Sequence, residues 1–199
     1  MNRKKSLIIV GLLFIVFLVI GIILLSSYDA PKTLIGDSKT LKEIDRLLLP
    51  LDTKTLTEID LNDLKEMVKS DEYASREVEE LILLTKYKEY SHVGHGLAFL
   101  YEYVQTGEEP VCPGHLLSHY YVFIKHGEID TANDNLAEAK ATIPEWKNIE
   151  LTKNETYLAE INYSSYVEKF NFNINKIEGG NSTATEEEIS DLADAPCAR

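Results

Sequence analysis

The sequence predicts an all-α protein in which one N-terminal transmembrane helix is followed by an array of antiparallel helical hairpins. Two observations lead to this prediction. Residues 7–25 form an apolar run without a charged side chain, and beyond it apolar residues recur mostly at three- and four-residue spacing, the period of an amphipathic helix. Glycine and proline interrupt this period at short intervals, so we expect several helices of ordinary length.

The apolar run at residues 7–25 has the length of a membrane-spanning helix. At about 1.5 Å per residue it extends roughly 30 Å, which matches the hydrocarbon core of a bilayer. Arg3, Lys4 and Lys5 precede the run, whereas the first charge after it is Asp29. Because basic residues favour the cytoplasmic side of a membrane, we expect the N-terminus inside the cell and the remainder of the chain outside.

A cleaved signal peptide would share the basic start and the apolar centre of this segment. Its apolar region is normally shorter than residues 7–25, and residues 26–30 form a poor cleavage site. We therefore favour an uncleaved signal anchor, which makes the chain a single-pass protein of the cell membrane. The lipid bilayer is then the expected partner of the anchor.

The expected domain organisation has four parts: a cytoplasmic tail at residues 1–6, the transmembrane helix at 7–25, a linker at 26–38 and an extracytoplasmic helical domain at 39–199. Three of the 20 basic residues and none of the 33 acidic residues lie in the tail. The part outside the membrane therefore carries a net charge of −16. Such a surface repels nucleic acid and anionic lipid headgroups, so we expect no nucleic-acid partner.

The first three helices of the outer domain are predicted by their apolar spacing. Pro50 ends the first helix, and the third begins near Ser70. Residues 56–61 alternate between polar and apolar side chains, which is compatible with a short extended segment. The apolar positions are Leu41, Ile44, Leu47 and Leu48 in the first helix, Leu64, Met67 and Val68 in the second, and Val78, Leu81, Ile82 and Thr85 in the third.

Two further helices have clear end signals. One covers residues 92–106 and is capped by Gly107, which can adopt the left-handed conformation common after a helix. The next has Cys112 at its N-cap and Pro113 at its first helical position, and Gly127 follows its last residue. These signals predict two consecutive helices joined by a short connection.

The C-terminal part of the chain predicts three more helices. The first opens at residue 130 or 131 and is ended by Pro144. Thr152 with Glu155, and Thr185 with Glu188, form capping-box signals at the start of the other two. The longer of these two helices carries an apolar stripe of Tyr163, Val167, Phe170, Ile174 and Ile177.

Residues 113–146 resemble a single tetratricopeptide repeat, a helix-turn-helix unit that stacks on its neighbours. Seven positions match the family pattern: Leu116, Phe123, Gly127, Ala132, Leu136, Ala139 and Pro144. His119 and Tyr120 depart from it, because the family usually has a large apolar residue and a small residue there. The resemblance implies a TPR-like array that binds a protein partner, and it supplies no catalytic residue.

All five histidines lie between residues 92 and 126, and imidazole and thiolate are ligands for zinc, copper and iron. If a hairpin turns at residues 107–112, residue 92 lies roughly 20 Å from residue 115 along the helices. The histidines would then divide into two sets: a turn-proximal set of Cys112, His115 and His119, and a distal set of His92, His95 and His126. The alternative is that they form interhelical hydrogen bonds or are partly exposed.

The two cysteines allow a second interpretation of Cys112. Outside the cell it can form a disulfide with Cys197, and in the chain-entropy model a bridge over that loop stabilises the fold by roughly 4 to 5 kcal/mol. Two unrelated free thiols are the alternative. A disulfide competes with metal binding because one sulfur cannot readily do both.

The sequence leaves two functional hypotheses open. The first is a membrane-anchored extracytoplasmic helical module that binds an unknown protein, needs no cofactor and has no catalytic activity, since the chain contains no recognisable catalytic motif. The second is a surface protein that binds a divalent metal through the Cys/His cluster. Asn154, Asn162 and Asn181 each begin a glycosylation sequon that an exported domain can use.

Overall fold

The computed structural model describes residues 34–51, 55–148 and 163–197. The predicted anchor at residues 7–25, and the capping box of Thr152 with Glu155, lie outside these ranges. Among the helices that the structure describes, none combines the length and the apolar character that crossing a bilayer requires. The anchor therefore stays a prediction.

The described residues form eight α-helices and one short 3-10 helix, without a β-strand, which confirms the prediction of an all-α fold. In chain order the helices are α1 (Ser38–Leu51), α2 (Asn62–Val68), α3 (Glu72–Lys86), α4 (Tyr90–Thr106), α5 (Pro113–His126), α6 (Ile129–Asn148), α7 (Tyr163–Glu178) and α8 (Glu186–Ala193). The 3-10 helix, Glu58–Leu61, precedes α2 directly.

The N-terminal helices differ from the prediction in two details. Pro50 lies inside the last turn of α1 rather than after it. A proline at this place removes one helical N–H but keeps a carbonyl that can accept a hydrogen bond. That carbonyl accepts a hydrogen bond from the Thr55 N–H at 3.2 Å. Residues 58–61 form a 3-10 turn, not an extended segment, because Thr57 and Asp60 complete a capping box there.

Helix α5 is the centre of the fold, since ten of its fourteen residues are buried. It forms a hairpin with α6 and also packs against α7 and α8, while α4 packs against α1 and α3. In the hairpin, Ala132 and Ala139 of α6 are fully buried. Their small side chains allow the two helices to approach closely.

Helix α6 continues past Pro144 to Asn148, so the prediction that this proline ends the helix is wrong. Proline removes one helical hydrogen bond, but the following turn is held by Trp146, which is only 1% exposed. The indole packs edge-on against Phe170 at 5.3 Å between centroids, and its Nε1 donates to the carbonyl of Pro196 at 3.0 Å. Tertiary packing here outweighs the local helix-breaking preference.

The start of α5 and the C-terminal segment are joined covalently. Cys112 and Cys197 form a disulfide with their Cα atoms 4.5 Å apart, so neither cysteine is a free thiol. Gly114 permits the close contact beside it: a Cβ at this position would lie 2.7 Å from the Cβ of Ala195 and would also press on the carbonyl of Leu192. The C-terminal segment therefore lies directly on the first turn of α5.

Candidate metal centre

Four of the five histidines meet in the interior between α4 and α5. His92 and His95 are three residues apart on α4, and His115 and His119 are four residues apart on α5. Each spacing places its two side chains on one face of a helix. The two faces meet, and we call the resulting group of His92, His95, His115 and His119 the histidine cluster.

The rings of the histidine cluster are close neighbours. Their centroids are 3.9 Å apart for His115 and His119, 5.5 Å for His92 and His119, and 6.2 Å for His95 and His115. Imidazoles that share a tetrahedral zinc ion, with zinc to nitrogen bonds of about 2 Å, have centroids roughly 5 Å apart. The observed separations bracket this value.

The ring nitrogens of the histidine cluster are buried without hydrogen-bond partners. Within the described part of the chain this applies to six atoms: both nitrogens of His92, both of His115, Nδ1 of His95 and Nε2 of His119. A buried polar atom without a partner costs about 1 to 3 kcal/mol. Six in one place are therefore a substantial cost, and an ion that binds one nitrogen of each ring would remove part of it.

Burial also sets the charge state of the histidines. The pKa values of His115 and His119 lie well below their ordinary value, first because both rings are buried and then because the neighbouring imidazoles disfavour a positive charge. Burial likewise lowers the pKa of His92. These three imidazoles are therefore neutral at pH 7, which is the state that binds a metal ion.

Glu80 of α3 reaches the cluster from the side. Its Oε2 lies 3.1 Å from Nδ1 of His119, and both side chains are buried. Its Oε1 accepts from Nδ2 of Asn135 on α6 at 2.8 Å. Because the imidazole is neutral, the contact with His119 is a hydrogen bond and not an ion pair. Three helices thus converge on this carboxyl group.

A second acid shares the interior with Glu80. Burial, and after it the proximity of Glu80, raises the pKa of Glu77 to about 8. Burial also raises the pKa of Glu80 to about 7, although the hydrogen bond from Asn135 opposes this. Arg76 lies 3.7 Å from Glu77. Both carboxyl groups therefore keep their protons to a higher pH than usual, and a cation bound beside them would favour the ionised form.

Apolar rings enclose the other side of the cluster. Phe99 packs edge-on against His115 at 4.7 Å, and Phe123 packs edge-on against His119 at 5.7 Å between centroids. These contacts restrict the orientations of the two imidazole rings. In the described ranges, however, no group of three or more His, Cys, Asp or Glu side chains is arranged so that it could hold a metal ion. A metal ion would therefore have to draw the rings together by side-chain rotation.

The predicted division of the histidines into two sets is wrong. His92 and His95, assigned to the distal set, lie beside His119 and His115 of the turn-proximal set. The prediction assumed a tight turn at residues 107–112, but the ring contacts place the start of α5 beside His95 and Phe99 and not beside the end of α4. Six residues of extended chain reach about 20 Å, enough to bring the start of α5 beside the first half of α4.

Cys112 and His126 do not belong to the cluster. Cys112 was predicted as a ligand, but its sulfur is bonded to Cys197 and has no thiolate to offer. His126 was predicted in the distal set, but it lies at the last turn of α5, where it stacks on Tyr87 at 4.1 Å and its Nε2 lies 2.8 Å from Oε1 of Glu89. The donor set in the structure is imidazole alone.

Sequence reasoning missed Glu80 and Asn135. The sequence contained one signal for Glu80. Glu77 and Glu80 are three residues apart and each precedes an apolar position, Val78 and Leu81, so the two acids lie beside the apolar face of the helix and not on its solvated face. Asn135 gave no such signal. Its partner is 55 residues away in the sequence.

Of the predicted glycosylation sites, Asn181 lies in the described part of the chain and is exposed. Its Oδ1 accepts from the hydroxyl of Thr183 at 2.7 Å. Asn154 and Asn162 lie outside the described residues. Glycosylation of all three stays a prediction.

Comparison of the chain with protein-family models, with curated proteins and with solved structures gives no match. The function is therefore argued from the geometry and chemistry of the histidine cluster.

Proposed function

We propose that this chain is a metal-binding protein that holds one transition-metal ion among His92, His95, His115 and His119. The observation that carries the proposal is the meeting of four imidazoles between α4 and α5, with six buried ring nitrogens that have no partner among the described residues. Structural histidines in a core normally have hydrogen-bond partners. A metal ion would use the lone pairs that the fold leaves unused.

The donor set selects the kind of ion. Imidazole suits zinc, copper, nickel and iron, whereas magnesium and calcium require oxygen ligands. With Cys112 in a disulfide, the cluster offers no thiolate, so soft ions that need sulfur are disfavoured. Zinc and copper are the ions that we expect to bind best.

The number of ligands indicates the role of the ion. Four protein ligands fill a tetrahedral site and leave no open position for a substrate or a reactive water. Capture, storage or electron transfer therefore fits this centre better than hydrolysis. If the predicted anchor holds the domain outside the cell, the ion would be taken from the extracytoplasmic side, and the protein would be a surface metal-binding protein without catalytic activity.

Metal analysis of the full-length protein in detergent tests the proposal. Protein purified without chelator should contain about one zinc or copper ion per chain, and the metal-free protein should rebind it. His95→Gln removes a half-buried ligand and should abolish stoichiometric binding. His126→Gln is the matched control, because His126 lies outside the cluster, and it should bind as the unmodified chain does.

Substoichiometric metal in the unmodified chain after reconstitution would contradict the proposal. Equal loss of binding in His95→Gln and His126→Gln would also contradict it, because the ion would then not depend on the cluster.

A second proposal is a protein-interaction module built on the α5–α6 hairpin. Support comes from the match of residues 113–146 to one TPR-like unit and from the burial of Ala132 and Ala139 between its helices. Crosslinking of the full-length protein in its native membrane should then recover one specific protein partner. Recovery of the chain alone, from membranes where it is abundant, would count against this proposal.

A further inference from the structure

We infer that Glu80 is the positioning residue of the proposed metal centre, because its hydrogen bond with His119 presents Nε2 of that ring to the ion. This inference rests on the proposed function and adds to it the residue that orients one ligand. Carboxylates commonly act in this way on metal-binding histidines: they accept the N–H of the nitrogen that does not bind the ion.

The two nitrogens of His119 have opposite environments. Nδ1 lies 3.1 Å from Oε2 of Glu80, whereas Nε2 is buried without a partner. A neutral imidazole carries one N–H, and the nitrogen that faces an acceptor holds it. When the ionised carboxylate of Glu80 accepts this hydrogen bond, the proton is on Nδ1 and the lone pair of Nε2 points into the histidine cluster.

Glu80 is itself held in place. Asn135 donates from Nδ2 to Oε1 of Glu80 at 2.8 Å and to the carbonyl of Thr131 at 3.0 Å. The amide is thus fixed to the backbone of α6, and it fixes the carboxyl group that faces His119 on α5. The chain of contacts runs from the backbone of α6 through Asn135 and Glu80 to the ligand ring.

His119 differs in this respect from two other members of the cluster. Both ring nitrogens of His92 and both of His115 are buried without a hydrogen-bond partner in the described residues, so no acceptor selects their tautomers. His119 is therefore the ligand that the fold orients before an ion arrives. The remaining rings would rotate toward it as the ion binds.

Zinc affinity of the full-length protein tests the inference, with free zinc set by competition with a chromophoric chelator. Glu80→Gln keeps the size of the side chain but removes its charge, and we expect zinc to bind 10- to 100-fold more weakly, as for other outer partners of ligand histidines. Glu79→Gln is the matched control on the same helix, because Glu79 is exposed. Its affinity should equal that of the unmodified chain.

The tautomer of His119 provides a readout that a merely structural role for Glu80 would not produce. In metal-free protein with ¹⁵N-labelled histidine, the ring nitrogen shifts should show the proton of His119 on Nδ1. On addition of zinc, the shift of Nε2 should move to that of a metal-bound nitrogen. A proton on Nε2 in the metal-free protein would overturn the inference, even if Glu80→Gln failed to fold.

The outcomes separate the two proposals. If the unmodified chain binds zinc and Glu80→Gln binds it equally well, the positioning role is wrong while the metal-binding function stands. If the unmodified chain binds neither zinc nor copper, the proposed function fails and the inference fails with it.

Discussion

Cys112 and Cys197 are bonded across 85 residues of sequence, and the bond stands three residues before His115. This disulfide ties the C-terminal segment to the first turn of α5, so it secures the helix that carries two members of the histidine cluster. It also removes Cys112 from the possible ligands. The structural role and the metal-binding role, which compete for Cys112 in the sequence, fall on different residues in the fold.

Replacing both cysteines by serine should separate stability from metal binding. Loss of a long-loop disulfide removes about 2 to 5 kcal/mol from the free energy of unfolding, and denaturant unfolding of Cys112→Ser/Cys197→Ser measures this loss. Zinc stoichiometry at low temperature should remain that of the unmodified chain. If the double variant is folded but binds no zinc, the thiol takes part in the site, contrary to the structure.

Substitution at two glycines should have opposite effects on stability. A Cβ at Gly114 would meet backbone and Ala195, which cannot move aside easily, so Gly114→Ala should cost about 1 to 3 kcal/mol. A Cβ at Gly94 on α4 would lie 3.7 Å from Cδ1 of Leu51, an ordinary contact, so Gly94→Ala should stabilise by about 0.5 to 1 kcal/mol through helix propensity.

The stabilities of Gly114→Ala and Gly94→Ala are measured by thermal and denaturant unfolding of the metal-free protein. A Gly114→Ala variant at least as stable as the unmodified chain would show that the C-terminal segment does not press on Gly114.

The buried carboxyl group of Glu77 predicts a pH dependence of stability. Burial raises its pKa to about 8, above the ordinary value near 4.5. A raised pKa in the folded state means that the stabilising contribution is complete below pH 4.5 and is lost as the pH rises through 8. Glu77→Gln stays neutral at every pH, so its melting temperature should exceed that of the unmodified chain increasingly from pH 5 to pH 9.

The matched control for this prediction is Glu79→Gln, since Glu79 is exposed on the same helix. Its difference from the unmodified chain should not change with pH. A pH-independent effect of Glu77→Gln would mean that the carboxyl group is not held in the interior.

Helix ends could be predicted from the sequence because their chemistry is local. Gly107 and Gly127 adopt left-handed backbone with φ of 78° and 81°, as expected for residues that end helices. Thr185 and Glu188 form the predicted capping box, with the two bonds at 3.1 and 2.8 Å. In each case the residues that decide the structure lie within a few positions of one another.

The composition of the candidate site could be predicted only in part. Four of its histidines were recognised as metal-binding side chains, but their grouping depended on the path of the connection between α4 and α5. Nothing local in residues 107–112 indicates which part of α4 the start of α5 will lie beside. The contact of Glu80 with His119 joins residues 39 positions apart, and it exists only because α3 and α5 pack together.

Replacing His115 by leucine should make the metal-free protein more stable while it loses zinc binding. Both ring nitrogens of His115 are buried without a partner, and the ring is surrounded by Phe99 and by other imidazoles that disfavour its charge. Leucine is apolar and of similar size, so it removes this cost. We expect a gain of about 1 to 3 kcal/mol in the metal-free protein.

With zinc present, we expect the unmodified chain to be more stable than His115→Leu, because an ion that binds only the folded state stabilises it by mass action. The unmodified chain should then melt at a higher temperature than without zinc, and His115→Leu should not respond. Leu117→Met, a conservative change at a fully buried position on the same helix, is the control for repacking and should keep the zinc response. A core histidine kept for packing alone would behave otherwise: its replacement would destabilise the protein equally with and without zinc. Residues that lower stability in the absence of a ligand are typical of functional sites. We expect His115 to be such a residue: it lowers the stability of the metal-free protein and is needed for zinc binding.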